Sequence, residues 1–367
     1  MPAHYVCLSD MHLGYEKSVL NDPAAQDHLV DQIAKLCGGA TDRLVLNGDC
    51  FEGCVPLSAG QHDAAGFNPA MAGISQSFFQ RFTDKIHTTS LVLLWGNHDY
   101  CLWQKIAASC GAPTFTNNQA GNVLLQYDGH VLPGAEAFLD DVIGPAAGKL
   151  ERIRSAYPNY TLGQYWPFTV FHHGHLLDKL ILGWMPSISY LALNLVTGEG
   201  QPKVSGDGTE TIESIHRKTE AFINAMWKIN SKPRAEEWAI LRRLEDKHVC
   251  SYYPDDPVPS SREIPSRLAC NEPQSDQLGQ QAGWYLSTVA LDPTTPAMLG
   301  DPAAKGFLVI GHDHNGGSED IAGLDGYSWG LRNTGGWTSD RDETALHTHV
   351  LIHMEDVPEP ALFCIKI

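Results

Sequence analysis

Positive charge is what this chain has least of. Across 367 residues, 25 lysines and arginines stand against 43 aspartates and glutamates, a net charge of −18. That balance disfavours adhesion to a bare nucleic-acid backbone or to anionic lipid, so no stable nucleic-acid complex is expected. A clear membrane span is missing too. The apolar stretch from Leu180 through Val196 carries no charged residue, but Pro186 and Asn194 interrupt it. At about 17 residues it reaches only the short limit of a span. The nine cysteines are odd in number and lack framework spacing, which excludes a disulfide scaffold and suits free thiols in a reducing compartment. No basic segment precedes the first apolar run, so no secretory leader is read, and a cytoplasmic location is expected. Repeats and low-complexity tracts are absent. Hydrophobic residues at 43% suit a folded globular chain.

What the chain does have is five short fragments rich in His, Asp or Asn. They run in the order Asp10-Met11-His12, Gly48-Asp49-Cys50-Phe51-Glu52, Gly96-Asn97-His98-Asp99, His173-Gly174-His175 and Gly311-His312-Asp313-His314. Each follows an apolar, strand-like run: Tyr5–Leu8, Leu44–Leu46, Leu91–Leu94, Phe168–Phe171 and Phe307–Ile310. A polar residue just past the end of a buried strand is rigidly held yet faces a cleft. Alone, each fragment reads equally well as a turn. Together, on one sheet edge, they supply enough oxygen and nitrogen donors for two divalent metal ions.

The donors are carboxylate, imidazole and a neutral amide, with no thiolate. Such a set suits manganese, iron, zinc or a similar first-row ion, not a structural four-cysteine zinc. Two ions sharing one carboxylate sit about 3.5–4 Å apart, the spacing of two-metal phosphoryl-transfer centres. A bridging water there becomes a hydroxide nucleophile near neutral pH. His98 lies between Asn97 and Asp99, and Asp99 can orient and polarise its ring. An imidazole so placed can protonate the leaving oxygen.

The five fragments resemble the calcineurin-like metallophosphoesterases, whose blocks D-x-H, G-D-x-x-D/E, G-N-H-D/E, H-G/H and G-H-x-H are all present. The resemblance implies that Asp10, His12, Asp49 and His314 bind one metal. Asp49 bridges to the second, completed by Asn97, His173 and His312. His98 is then the catalytic imidazole, with Asp99 its partner. His173 is preferred to His172 because it directly precedes Gly174, and strand alternation points His172 the other way. His175 is read as a supporting residue or a contact for substrate phosphate. The implied cofactor is two divalent ions, manganese favoured. The implied reaction is hydrolysis of a phosphoester or pyrophosphate bond by attack of a metal-bridging hydroxide, with His98 as general acid. Glu52 stands where many members have Asp. His173 to Asp178 and Asn333-Thr334-Gly335-Gly336-Trp337 are similar to the branch containing UDP-2,3-diacylglucosamine pyrophosphatases. A lipid-linked nucleotide therefore joins phosphomonoesters, cyclic nucleotides and nucleic acids as substrate options. A non-catalytic scaffold on the same fold and a single-metal or redox protein are the competing classes.

Strand and helix signals alternate in the first part, which argues for an α/β architecture. The resemblance sharpens this to a four-layer α-β-β-α sandwich of two mixed sheets flanked by helices. Residues 1–175 and 305–367 form the expected catalytic core, and 176–304 a largely helical cap. Helical spacing is read over Ala24–Leu36, with Leu29, Ile33 and Leu36 in the core, over Ala70–Phe82, and near Ala146–Ser155. Residues 53–69 read as an active-site loop. The stretch 180–196 is a buried cap segment, favoured, or an apolar surface holding a lipid chain or resting on a membrane. Ile212–Lys228 and Ala235–Lys247 read as amphipathic helices carrying Arg217, Lys218, Lys228, Arg242 and Arg243. They are either a solvated, charge-paired face or a positive surface for a phosphate-bearing substrate. Cys50 and Cys54 flank the second block, either as metal contacts or as small buried residues. His347, His349 and His353 share one strand face, read as polar. Oligomeric state is not legible.

Overall fold

Two mixed β-sheets, packed face to face, carry the strands of the described residues in the structure, a computed structural model. It describes residues 3–15, 17–52, 69–96, 98, 99, 102, 123–128, 141–157, 159–163, 167–175, 286, 304–312, 316–324, 327–338 and 348–367. In chain order the elements are β1 (Ala3–Leu8), α1 (Pro23–Leu36), β2 (Ala40–Asn47), α2 (Pro69–Lys85), β3 (His87–Leu94) and β4 (Val123–Asp128). They continue with β5 (Arg152–Tyr157), β6 (Asn159–Leu162), β7 (Thr169–His172), β8 (Lys305–Ile310), β9 (Gly317–Leu324), β10 (Tyr327–Asn333), β11 (His349–Met354) and β12 (Ala361–Cys364). The first sheet has the order β12-β11-β1-β2-β3-β5-β4, the second β6-β7-β8-β10-β9. Neighbours run parallel from β1 through β2 and β3 to β5, and from β7 through β8 to β10. The remaining pairs are antiparallel. An α/β fold of two mixed sheets is therefore what the alternation in the sequence produces.

Strand parity builds the layer between the sheets. Tyr5, Cys7, Val45, Val92, Leu94, Ala156 and Leu351 from the first sheet meet Tyr160, Phe171 and Val309 from the second. The opposite parity, Val6, Leu8, Leu44, Leu46, Leu91 and Leu93, is buried as well. Two buried faces explain the nearly unbroken apolar runs before each motif.

α1 starts where Asp22 accepts the Ala24 N–H at 2.9 Å and Pro23 takes the first helical position. It stops at Gly38 and Gly39, both at positive φ. Leu29 and Ile33 are buried as the spacing predicts. Val30, not Leu36, completes the set, and Leu36 stays half-buried.

The helix expected near 146–155 is not there. Residues 144–149 form a 3₁₀ turn opened by Gly144 and Pro145, and 152–157 form β5, pairing with β3. Alternating Arg152, Ile153, Arg154 and Ser155 fit a strand slot beside β3 better than they fit a helix face. His349 and His353 also correct their reading: they share parity with Leu351, the residue that enters the layer between the sheets. The His353 ring packs edge-on against Tyr5 at 5.3 Å. His347, the 53–68 loop, Cys54, both basic helices and the 180–196 stretch lie outside the described residues.

Candidate metal centre

The motif loops of both sheets meet at one edge of the stack. Along the first sheet the loops after β1 and β2 run side by side. The Asp10 N–H donates to Gly48 O at 3.0 Å, His12 N–H to Asp49 O at 2.9 Å and Leu13 N–H to Cys50 O at 3.0 Å. Across the sheets, the buried Asn47 amide donates to the carbonyls of His172 at 3.2 Å and Val309 at 3.3 Å. The Gly311 N–H donates to His173 O at 2.8 Å, and His312 N–H reaches the Asp10 carboxylate at 3.0 Å. Asp49 Oδ1 accepts the His98 N–H at 2.7 Å.

Backbone strain marks the same residues. Among the described residues, four non-glycines sit at left-handed φ: Asp10 (49°), His12 (46°), Asp49 (48°) and His312 (73°). All four belong to the expected ligand set. Each such conformation costs on the order of 1 kcal/mol or more, and the ladder of loop hydrogen bonds offsets it.

Side-chain geometry then resolves three groups of candidate ligands. Asp10, His12 and Asp49 present ligand atoms within 4.8 Å of one another, and so do Asp49, His173 and His312. Asp49 belongs to both groups. The third comprises His12, Glu52 and His98, and here a carboxylate bridges two imidazoles. Glu52 Oε2 meets His12 Nδ1 at 3.0 Å, and Oε1 meets His98 Nδ1 at 3.1 Å. His173 Nδ1 lies 3.2 Å from Asn47 O and its Nε2 3.1 Å from Asp49 Oδ2. His173, not His172, thus stands in the cluster. The His172 Nδ1 accepts the Gly174 N–H at 2.9 Å instead. His175 is fully buried, stacked on His172 at 5.2 Å and 5.4 Å from the His173 ring. Asn97 and His314 lie outside the described residues.

One sequence expectation changes here. Asp99 is not the partner of the His98 ring: its Oδ1 accepts the Gly96 N–H at 2.6 Å and its Oδ2 the Cys50 N–H at 3.0 Å. It pins the His98 loop to the Asp49 loop, and Glu52 holds the ring. Glu52 was noted in the sequence only as a variant letter. The signal available was its position, three residues after Asp49 in a ligand-bearing loop. Cys50 joins none of the three groups and fits the reading of a small buried residue. Its Sγ points at Gly48 O, 3.4 Å away, and burial pushes the thiol well up.

Four carboxyl groups, those of Asp10, Asp49, Glu52 and Asp99, are buried together. Burial by itself raises Asp49, but the His173, His98 and His12 imidazoles outweigh it and hold this carboxylate well below its ordinary range. Burial and the Asp49 charge push Asp99 up, the expected split between like groups sharing a site. Glu52 is held down to about 2 because His98 and His12 overcome its desolvation. The same contest in reverse lifts His98 to about 10 against burial, through Glu52 and then Asp49. Buried carboxylates facing imidazole edges, with no lysine or arginine in the three groups among the described residues, make a donor set that divalent cations fit.

Close packing around the ligands leaves no room for a methyl group at Gly48, against the His173 ring, or at Gly96 and Gly311. A Cβ on Gly311 would overlap the Asp10 carboxylate and Ser9 Oγ, and one on Gly96 would overlap Asp49 Oδ1. Gly311→Ala is therefore expected to displace Asp10 and cut bound metal at least tenfold, measured by elemental analysis after dialysis. Overpacking should also cost the metal-free fold about 1–3 kcal/mol.

No family model matches this chain, and no characterised protein matches it in sequence. Among the described residues, no helix is long and apolar enough to cross a membrane.

Proposed function

We propose that this chain is a dinuclear metal-dependent phosphoesterase that hydrolyses a phosphoester or pyrophosphate bond, built on the four-layer metallophosphatase sandwich with 176–304 as its cap. The observation that carries the reading is Asp49, one carboxylate common to two separate three-residue ligand groups. Asp10 and His12 with Asp49 form one half-site. His173 and His312 with Asp49 form the other. Asn97 and His314 are assigned to complete them. The oxygen and nitrogen donors, with Cys50 turned away, suit manganese, iron or zinc, and manganese is the favoured ion. Divalent ions held by these residues would supply an activated water as nucleophile and offset charge on the phosphate oxygens.

The protein's own residues do the rest. Asp49 carries a permanent negative charge, held by imidazoles on three sides. Glu52 fixes both His12 and His98 through their Nδ1 atoms, which leaves His98 Nε2 to face the leaving group. His98 is partly exposed, whereas Asp10 and Asp49 lie buried behind it. In the metal-free site Glu52 and then Asp49 lift His98 against burial to about 10, and His98 is the group assigned to pass a proton to the departing oxygen as the P–O bond breaks. A phosphate-bearing small molecule or lipid-linked substrate is the class proposed.

Removal of metal provides the test. Purified protein is expected to carry close to two ions per chain. A chelator should abolish hydrolysis of aryl phosphodiester or phosphomonoester probes, and manganese should restore it. One ion or none, with unchanged hydrolysis after chelation, would sink the reading.

A further inference from the structure

The loop Asn333-Thr334-Gly335-Gly336-Trp337 leaves the end of β10 beside the metal-ligand loops and supplies no ligand to any of the three groups. Its hydrogen bonds nonetheless converge on the residues next to the ligands. Thr334 is fully buried, and so is Ser9, which immediately precedes Asp10. Their hydroxyls form a short hydrogen bond. Thr334 Oγ1 also lies 3.0 Å from Ile310 O and Ser9 Oγ 3.3 Å from Gly335 O. The two hydroxyl hydrogens serve these three contacts, one hydroxyl donating within the pair and the other to its carbonyl. The Thr334 N–H reaches Ile310 O at 3.0 Å, and Thr334 O accepts the His349 N–H at 3.1 Å. The Trp337 N–H donates to Asp10 O at 3.1 Å. Gly335 turns the loop at φ 68°, with its N–H on Asn333 Oδ1 at 3.0 Å.

A relay therefore runs from Ser9 through Thr334 to Ile310, across the gap between the first sheet and the second. Ser9 adjoins Asp10, and Ile310 lies two residues before His312. The gap is tight, because a Cβ on Gly311 would strike both Ser9 Oγ and the Asp10 carboxylate. The relay is a second link between the half of the cluster carried by β1 and the half carried by β8, beside the His312 N–H bond to the Asp10 carboxylate.

We propose that the Ser9–Thr334 hydroxyl pair is a positioning device for the metal centre, setting how the Asp10–His12 half stands relative to the His173–His312 half. This rests on the dinuclear metal reading and deepens it. Thr334 and Ser9 touch no substrate; they act through Asp10 and His312.

The test is manganese binding to the full chain, followed by calorimetry and by the spin coupling of the bound manganese pair. Thr334→Val is expected to weaken binding by about tenfold or more, as losses next to ligands do, and to alter the coupling. The double variant Ser9→Ala with Thr334→Val leaves neither hydroxyl without its partner, so its metal-free melting temperature should stay near wild type. Its manganese binding should remain weak. Thr334→Ser, which keeps the relay, should restore both affinity and coupling. Wild-type affinity and coupling in the double variant would overturn this inference alone and reduce the pair to packing. A wild-type chain that takes up no manganese would overturn the metal reading and this inference together.

Discussion

Asp49→Asn is expected to cost this chain both of its metals and nearly all of its hydrolytic activity. The substitution preserves shape but removes one charge and replaces one oxygen ligand by an amide nitrogen. Asp49 is the single residue shared by the Asp10–His12 and His173–His312 groups. Its Oδ2 lies 3.1 Å from His173 Nε2, and its Oδ1 accepts the His98 N–H at 2.7 Å. A side-chain amide in its place offers one neutral oxygen where two half-sites need a carboxylate between them. Losing a residue merely adjacent to a ligand costs about 10–100-fold in metal affinity. Losing the shared ligand should exceed about 100-fold for each ion, and turnover should fall with occupancy. Elemental analysis and titration with manganese check this. Retention of two tightly held ions in Asp49→Asn would remove the basis for calling the centre dinuclear. The metal-free fold should survive, because the left-handed backbone at 49 is tolerated by Asn as readily as by Asp.

Much of this centre was readable in the sequence because ligand chemistry and strand chemistry sit next to each other in it. An apolar run buried on both faces delivers the following polar residue to the sheet edge, so Asp10, His12, Asp49, His98, His173 and His312 could be gathered from order alone. Strand parity even separated His173 from His172. Roles that depend on which loops lie against each other were not readable. Asp99 follows His98 directly and looked like its partner, yet its carboxylate turns back to the Gly96 and Cys50 amides. Glu52 is 46 residues from His98 and 40 from His12, and nothing local announces that it spans both. Arg152–Tyr157 lost its helical pattern to a strand slot beside β3, a tertiary demand that overrides local spacing. Thr334 is legible in the sequence only as one letter of Asn333–Trp337, and the second sheet's approach to the first gives it Ser9 and Ile310 as partners.

Glu52→Gln should separate the proton chemistry of the site from its metal chemistry. His98→Ala removes the acid itself and is expected to lower kcat by about 10²–10⁴-fold while leaving bound metal largely in place. Glu52→Gln keeps the His98 ring but withdraws the carboxylate that does most to raise it. Burial alone would strip the His98 proton, and Glu52 with Asp49 outweighs that penalty to hold the imidazole at about 10. Without the Glu52 charge His98 releases its proton at lower pH, so the alkaline limb of the kcat profile should move down by roughly one to three pH units. The metal-free protein gives a second signature. Glu52 is held at about 2 against an ordinary 4.5, so its contribution to stability is full above pH 4.5 and is lost as the pH falls towards 2. Glu52→Gln should flatten that acid-side slope. Because Glu52 acts through His98, the double variant Glu52→Gln with His98→Ala should turn over no more slowly than His98→Ala alone, apart from any metal lost at His12. Fully multiplicative losses at saturating manganese would show that Glu52 has a task independent of His98, and the bridge between the two imidazoles would then be structural for His98 and functional only for His12.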